Sequence, residues 1–401
     1  MRLLHIADIH IGTKFANKRV AVRQVLKQSV MNAFKKSIEY AIDERVDGVL
    51  IAGDLFDGCE VPFHGEVGFL KLMDRLEAAR IHVFYTTGNH DPYRQNQLFN
   101  RLKAYQFIHP FYRPVPETIT VTSDNGIVYK VSSAGHDGET VQENIIKDFP
   151  VKSGDVPHVG IAHTMVASIK ESVDHGEYMP CSLEDLKSKG YDYFALGHIH
   201  KRLVLDESNR IGYSGNIQGR HYKETGPKGG TLVEINGDSI RTTFVPFHEL
   251  EWYQESIPLD EEDTSVYDVI TKMKRVMSTV AFSNRQWIGR FQLEGSSPLY
   301  HSLQNSSVIS DLEEEICEEL GALDIRIKSE KVSPLINREE LKRSEHLLGS
   351  FLNKFDEDPS YFSRYLDTVD FISHEGKSNK EAFLNKSLAS LDKLLIGKIK
   401  K

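Results

Sequence analysis

The stretch "ALGHIHKR", Ala195–Arg202, closes a run of buried-type residues, Tyr193–Leu196, at Gly197 and then presents two histidines two positions apart. In an extended segment, residues i and i+2 point the same way, so His198 and His200 can aim at one spot. Taken alone, the pair is equally the polar end of an ordinary strand. Four other segments bear on the choice. "ADIH" (Asp8, His10), "GDLFD" (Asp54, Asp57), "GNHD" (Asn89, His90, Asp91) and "AHT" (His163) each stand at the end of an apolar, strand-like run: "RLLHIA", "GVLIA", "IHVFYTT" and "HVGIA".

Each motif is weak by itself, because Asn, Asp and Gly are common turn formers. Together they point one way. In open α/β sheets, ligands gather at the carboxyl ends of strands, so segments far apart in sequence converge in space. Asp, Asn and His supply hard oxygen and imidazole nitrogen without thiolate, a mixture that suits Mn²⁺, Fe²⁺ or Zn²⁺ better than Ca²⁺ or Mg²⁺. The seven candidates Asp8, His10, Asp54, Asn89, His163, His198 and His200 exceed the needs of one tetrahedral ion. They suit two ions sharing a carboxylate, and two ions about 3.5–4 Å apart can clamp a phosphodiester for in-line attack. Gly53, Gly88 and Gly197 allow the backbone to approach such a centre closely.

Around these motifs, residues 1–250 alternate strand and helix signals, including a long helical pattern at Val22, Leu26, Val30, Phe34, Ile38 and Ile42. That alternation predicts an α/β fold with a sheet covered on both faces. A helix is expected around Phe69–Leu76, and further strands at "RIGYSG" and "TLVEI". Near residue 250 the texture changes. Residues 251–332 read as a small αβαβ domain, and residues 333–401 as wholly helical, with Leu384, Leu388, Leu391 and Leu395 on one stripe. That stripe either packs on its own domain or docks a partner.

Net charge is −9, which does not advertise a nucleic-acid binder. It does not exclude one, since residues 1–250 are near neutral, with 29 Lys+Arg against 31 Asp+Glu, and a local groove can be basic on an acidic protein. Three scattered cysteines, Cys59, Cys181 and Cys317, suit a reducing cytoplasm. No transmembrane span or signal peptide is expected, so no membrane association is either.

The set D-x-H, GD-x₂-D, GNHD, strand-end His and GH-x-H resembles that of the calcineurin-like metallophosphoesterases. Within them, "LLHIADIHIG", "LIAGDLFD", "TTGNHD" and "ALGHIHKR" are similar to SbcD-type DNA repair nucleases, and "YSGNIQGRHYKETGPKGG" to their YhaO-like bacterial branch. The resemblance covers residues 1–250 strongly and the next domain faintly. It implies a four-layer αββα sandwich over 1–250, a small α+β capping domain over 251–332, and a helical C-terminal segment over 333–401. It implies Mn²⁺ as the favoured metal, with Asp8, His10, Asp54 and His200 on one ion and Asp54, Asn89, His163 and His198 on the other. His90 would contact the phosphate and assist leaving-group protonation, with Asp91 orienting its ring. Some family members carry His where this chain has Asp57, so Asp57 either holds a ligand histidine's second N–H or simply makes a turn. Arg220, His221, Lys223 and Lys228 are candidates for DNA phosphates. The implied partners are DNA, an SbcC-type coiled-coil ATPase docking on the C-terminal helices, and a second copy of the chain as a homodimer; the helices after "GDLFD" and "GNHD" either supply its interface or simply bury their apolar faces in the core. The same motifs also serve small-molecule phosphodiesterases and phosphatases, and a DNA-end-binding subunit without activity is the third reading.

Overall fold

The computed structural model describes residues 1–58, 63–93, 98–138, 141–167, 178–280 and 286–335, with the short pieces 342–343, 349–350, 353–354 and 357. It divides into two compact units, residues Met1–Tyr253 with Phe282–Ile288, and residues Gln254–Ala281 with Gly289–Lys401. The leucine stripe Leu384–Leu395 lies outside the described residues.

The first unit runs β1 (Arg2–Ile6), α1 (Val20–Asp43), β2 (Gly48–Ala52), α2 (Phe63–Ala78), β3 (His82–Thr86), α3 (Leu98–Leu102), β4 (Ile108–Phe111), β5 (Glu117–Thr122), β6 (Val128–Ser133) and β7 (His158–His163). It continues through α4 (Leu183–Lys187), β8 (Tyr193–Gly197), β9 (Leu203–Val204), β10 (Ile211–Tyr213), β11 (Gly229–Asn236) and β12 (Ser239–Pro246). These strands form two six-stranded sheets, in the orders β12-β11-β1-β2-β3-β4 and β5-β6-β7-β8-β10-β9. The residue pattern alone pointed to one sheet covered on both faces; there are two, each with one face on the other. The inner strands β2, β3, β7 and β8 are buried on both sides and so read as continuous apolar runs, which is why periodicity does not separate the cases.

The interior between the sheets holds Leu3, Leu50, Phe84, Phe111, Val131, Ile161 and Val233. Polar links cross it. The Tyr129 hydroxyl donates to the Asp47 carbonyl (2.8 Å), the Thr86 hydroxyl to the Ala134 carbonyl (2.9 Å), and His5 on β1 meets the Tyr193 hydroxyl (2.9 Å) and the Leu196 carbonyl (3.1 Å) on β8. Buried polar groups are tolerated when bonded, and these fix how one sheet is placed on the other. Helices α1 and α2 flank the first sheet. The i,i+4 residues Val22, Leu26, Val30, Phe34 and Ile38 are all buried, and Phe69 of α2 stacks on Phe34 at 6.2 Å and meets Phe56 edge-on at 5.5 Å. Phe69, Leu72, Met73 and Leu76 of the helix after "GDLFD" therefore belong to its own core, while Phe63 at its start is exposed. On the far face of the second sheet, Ile145, Ile146 and Phe149 of a short 3₁₀ turn and Leu186 of α4 pack against Phe194 and Leu196. The result is a mixed α/β sandwich, two sheets flanked by helices.

The second unit contains most of a three-stranded sheet, β13 (Leu250–Leu259), β14 (Gln286–Ser297) and β15 (Asp324–Pro334), with α5 (Val266–Met277), α6 (Tyr300–Leu303) and α7 (Ser306–Glu319). Strand β13 precedes the first helix, where the sequence reading began with α5. Its "ELEWYQES" mixes charge into the strand, which hides the alternation. Helix α5 starts on a capping box, Ser265 with Asp268.

Several buried histidines carry a pH signature. Burial lowers His5 to about 3, and burial with the neighbouring His82 lowers His109 to about 4. Such groups take up protons in the unfolded chain near pH 6.5 and in the folded chain only near 4, so the stability they contribute is complete above pH 6.5 and falls with pH between those values. Unfolding free energy measured by denaturant between pH 7 and pH 4.5 is expected to drop, and less steeply in His109→Gln. An identical slope in the variant would remove His109 from the effect.

Candidate metal centre

Three adjacent parallel strands of the first sheet, β1, β2 and β3, end side by side, and the segments leaving them carry Asp8 and His10, then Asp54, then Asn89. In the second sheet, β7 ends on His163 and its parallel neighbour β8 leads into His198 and His200. All five motifs meet on one edge of the sandwich. Backbone conformation there is unusual: Asp8 (φ 51°), His10 (φ 53°), Asp54 (φ 50°) and His198 (φ 103°) are left-handed without being glycine. Such residues persist where their surroundings fix them. Here the fixing is by hydrogen bonds from Asp8 N to Gly53 O (3.2 Å), from His10 N to Asp54 O (3.0 Å), and from His198 N to the Asp8 carboxylate (3.0 and 3.2 Å).

The approach is tight. A Cβ on Gly197 would lie 1.7 Å from the Ala52 carbonyl oxygen, and one on Gly88 2.1 Å from Asp54 Oδ1. Only glycine lets these strand ends come together.

Side chains converge within this frame. Asp54 Oδ2 lies 3.6 Å from His10 Nε2 and 3.4 Å from His163 Nε2, while its Oδ1 accepts from His90 N at 2.9 Å. Among the described residues, ligand-type atoms lie within 4.8 Å of one another in three groups, Asp8–His10–His200, Asp8–Asp54–His163 and His10–Asp57–His90; Asp8 is common to the first two, and Asp54, a member of the second, reaches His10 of the first. Asn89 Oδ1 is 3.0 Å from His163 Nε2. His198 stands beside them, outside these groups, its ring centroid 5.2 Å from that of His163. Burial tends to raise the Asp54 carboxyl, but His163, His10 and His90 outweigh it and hold Asp54 well below the usual range. Burial opposes charge on His163 as well, and Asp54 with Asp8 raises it to about 9.

Tautomers assigned from their partners suit metal binding. His163 Nδ1 donates to the Ala52 carbonyl (3.0 Å) and His200 Nδ1 to Glu224 Oε1 (2.6 Å), which turns both Nε2 atoms toward the site, and the proton that Asp54 and Asp8 favour on His163 would leave Nε2 when an ion binds. His10 Nδ1 faces Asp57 Oδ1 at 3.2 Å as a close contact without hydrogen-bond geometry, and its Nε2 also turns toward the site. His10 Nε2 and His200 Nε2 are 3.2 Å apart, close enough to serve one ion together. Three imidazoles, at least two carboxylates and no thiolate fit a divalent first-row metal.

Two expectations need correction. Asp91 does not orient His90. Its buried carboxylate accepts from the backbone of Leu55 (2.8 Å), Phe56 (3.2 Å) and Gly88 (2.7 Å) and from the Tyr85 hydroxyl, and so shapes the loops that carry Asp54 and Asn89. The partner of His90 is Asp57, at 3.2 Å from its Nδ1; that contact raises the His90 imidazole above its ordinary pKa. Asp57 thus bridges His10 and His90, the first of the two roles open to it from sequence. Lys228, expected on a DNA-facing rim, is 9% exposed and donates to the His200 carbonyl at 3.1 Å. Burial lowers its ammonium.

Of the other cationic candidates, Arg220 is drawn into the site, its Nη1 3.3 Å from Asp57 Oδ1 and 3.4 Å from Thr13 Oγ1. His221 and Lys223 are exposed, with His221 Nε2 3.1 Å from Glu224. Loop 219–224 is braced from below: the Trp252 indole donates to the Gly219 carbonyl (2.6 Å), and the Lys18 ammonium donates to the Tyr222 hydroxyl over both rings. Sequence reasoning missed Glu224. It is a buried acid that takes the His200 ring, the Asn216 amide (2.9 Å) and the Arg220 N–H (2.6 Å). Burial opposes its charge, and the bonds from His200 and His221 hold it well below the ordinary range. The one signal was an acid set among the basic residues of "GRHYKETGPK".

A carboxylate behind a ligand imidazole fixes its orientation, and removing it typically costs about 10–100-fold in metal affinity. Glu224→Gln is expected to lose affinity on that scale in a Mn²⁺ titration against a competing chelator, with its circular dichroism preserved. Unaltered affinity would mean that Glu224 does not position His200.

Comparison with known proteins agrees with this geometry. Residues 1–202 match the family model for calcineurin-like phosphoesterases. The uncharacterized metallophosphoesterase YhaO of Bacillus subtilis is 29% identical over 309 residues, spanning 74% of this chain and 72% of its own. The DNA double-strand break repair protein Mre11 of Sulfurisphaera tokodaii is 25% identical over 322 residues (72% of this chain, 78% of that one). Mre11 of Sulfolobus acidocaldarius is 26% identical over 317 residues (75% and 76%).

Proposed function

The chain belongs to the calcineurin-like phosphoesterase family, and we propose that within it the chain is a DNA repair nuclease that hydrolyses phosphodiester bonds with two divalent metal ions, Mn²⁺ foremost. The observation that carries this reading is the delivery, by both sheets to one edge, of imidazole and carboxylate donors in groups that share Asp8, with Asp54 within 3.6 Å of His10 and 3.4 Å of His163. Similarity to proteins named for DNA double-strand break repair supports DNA as the substrate.

Asp8, His10, Asp54 and His200 would hold one ion, and Asp54, Asn89, His163 and His198 the other. When bound, such ions neutralise phosphate charge and lower the pKa of an attacking water. The chain's own residues do the rest. His90, with its side chain 45% exposed and Nδ1 on Asp57, is placed to give a proton to the departing oxygen from Nε2. Asp57 is a positioning residue that steadies His90 and His10 together. Arg220, also on Asp57, is placed to take a non-bridging phosphate oxygen, a bidentate task that guanidinium suits. His221 and Lys223 lie further out, where a strand would continue.

The reading extends to a cytoplasmic protein that works as a homodimer with an SbcC-type coiled-coil ATPase docked on its C-terminal region, and to residues 251–332 as a capping domain. Among the described residues no helix is long and apolar enough to cross a membrane.

The test is cleavage of single-stranded and end-containing duplex DNA by the purified chain in Mn²⁺, run beside metal analysis. Cleavage is expected with about two ions per chain. His90→Asn is expected to slow it by about 10²–10⁴-fold, the range for a lost general acid, at the same metal content. Intact metal loading with small phosphodiesters hydrolysed and DNA untouched would replace the nuclease with a small-molecule phosphodiesterase.

A further inference from the structure

Beside the backbone of His200 lies a cavity of about 200 Å³ lined by Lys201, Arg202, Asn216, Thr225, Lys228 and Phe244 among others. Three of its side chains are cationic, and none of the described residues lining it is acidic. Lys228 is nearly buried, and its ammonium has one hydrogen-bond acceptor, the His200 carbonyl. Among the described residues neither Lys228 nor Arg202 is ion-paired. The Arg202 Nε donates to the Thr231 hydroxyl (3.3 Å), and the guanidinium lies over the Phe244 ring at 6.0 Å. The nearest acids are engaged elsewhere, Glu224 with His200, Asn216 and Arg220, and Asp8 with the backbone of His198.

A buried charge is costly unless it meets a counter-charge. Here two cations line one cavity with no carboxylate in its wall, Glu224 and Asp8 acting on Lys228 only from outside it, so the missing contact partner is an anion. The cavity is large enough for a tetrahedral oxyanion with some water. Guanidinium and ammonium together suit phosphate oxygens, and the Thr225 hydroxyl adds a neutral donor. Asn216 Oδ1, buried without a hydrogen-bond partner in the same wall, can accept from a protonated phosphate oxygen or a water. We propose that this cavity is a phosphate-binding subsite, distinct from the metal centre and adjoining it at His200 and, through Asn216, at Glu224. Where the phosphate belongs to a DNA strand, the proposal rests on the nuclease reading; where it is free phosphate, it does not.

The test uses the full Mn²⁺-loaded chain and Arg202→Gln, a residue outside the metal centre. One arm measures steady-state cleavage of a single-stranded oligonucleotide. KM is expected to rise about tenfold, as for one lost charge-assisted hydrogen bond, with kcat unchanged and Arg202→Lys largely restored. The other arm titrates inorganic phosphate by calorimetry, where the variant is expected to bind one equivalent fewer than the wild type. Hydrolysis of bis(p-nitrophenyl) phosphate, which needs no subsite, should be unaltered and reports that the metal centre is intact. Should Arg202→Gln lose that activity, the exposed Lys201→Gln is read in the same two arms. A loss in the oligonucleotide arm assigns the cavity to a strand phosphate, and a loss in the phosphate arm alone to free phosphate. No loss in either, with the small ester still hydrolysed, overturns the subsite. A wild type that hydrolyses the small ester but leaves the oligonucleotide intact sinks the nuclease reading alone, and the phosphate arm then decides the cavity.

Discussion

The carbonyl at the end of β2 is where the two sheets touch. Ala52 O accepts the His163 Nδ1 proton at 3.0 Å, and Gly197 passes so close that any Cβ there would collide with that same oxygen. One contact therefore sets the separation of the sheet edges, the tautomer of a ligand histidine and the point from which His198 and His200 depart. Move the sheets apart by the width of a methyl group and Asp54 no longer reaches imidazoles from both. The His5–Tyr193 link below the site and the buried apolar layer hold that separation from the interior side.

Electrostatics then makes the site a conditional arrangement. Asp8, Asp54, His10 and His163 are all buried, and each charge among them is tolerable only through its neighbours. Asp54 stays ionised because imidazoles surround it, and His163 keeps its proton because Asp54 and Asp8 are near. Left-handed backbone at four of the site residues adds strain that the same hydrogen bonds hold in place. The outer ring of acids has a different task. Asp57 and Glu224 each stand behind a ligand histidine, and each also engages Arg220, by a side-chain contact from Asp57 and through the backbone N–H from Glu224. Ligand orientation and cation placement are therefore coupled through two carboxylates.

The strand ends and the residues leaving them were legible in the sequence because buried strands read as apolar runs and their abrupt polar ends stand out. That is enough to group Asp8 and His10 with His163 across about 150 positions. What the sequence does not carry is the direction in which a side chain finds its partner. Asp91 follows His90 directly, yet its carboxylate turns inward to three backbone N–H groups while Asp57, from another loop, takes the imidazole. Lys228 sits in a loop that looks solvated and is buried instead. Glu224 had neither strand end nor periodicity to mark it. The pairing of two sheets was equally silent, since a strand covered by a second sheet and one covered by a helix have the same composition.

The order in which the ligands occur along the chain has a consequence for biosynthesis. The first, Asp8, and the last, His200, bracket nearly the whole first unit, and the strand β11 that pairs with β1 comes later still. Contacts of such long sequence separation form late and slowly, because loop-closure entropy is met before they contribute anything. A nascent chain emerging from the ribosome carries its carboxylates long before the histidines of β7 and β8 exist. A chain cut short before Gly197 keeps Asp8, His10, Asp54, Asn89 and His163 but lacks His198 and His200, so the full set of candidate ligands belongs to the finished sandwich alone.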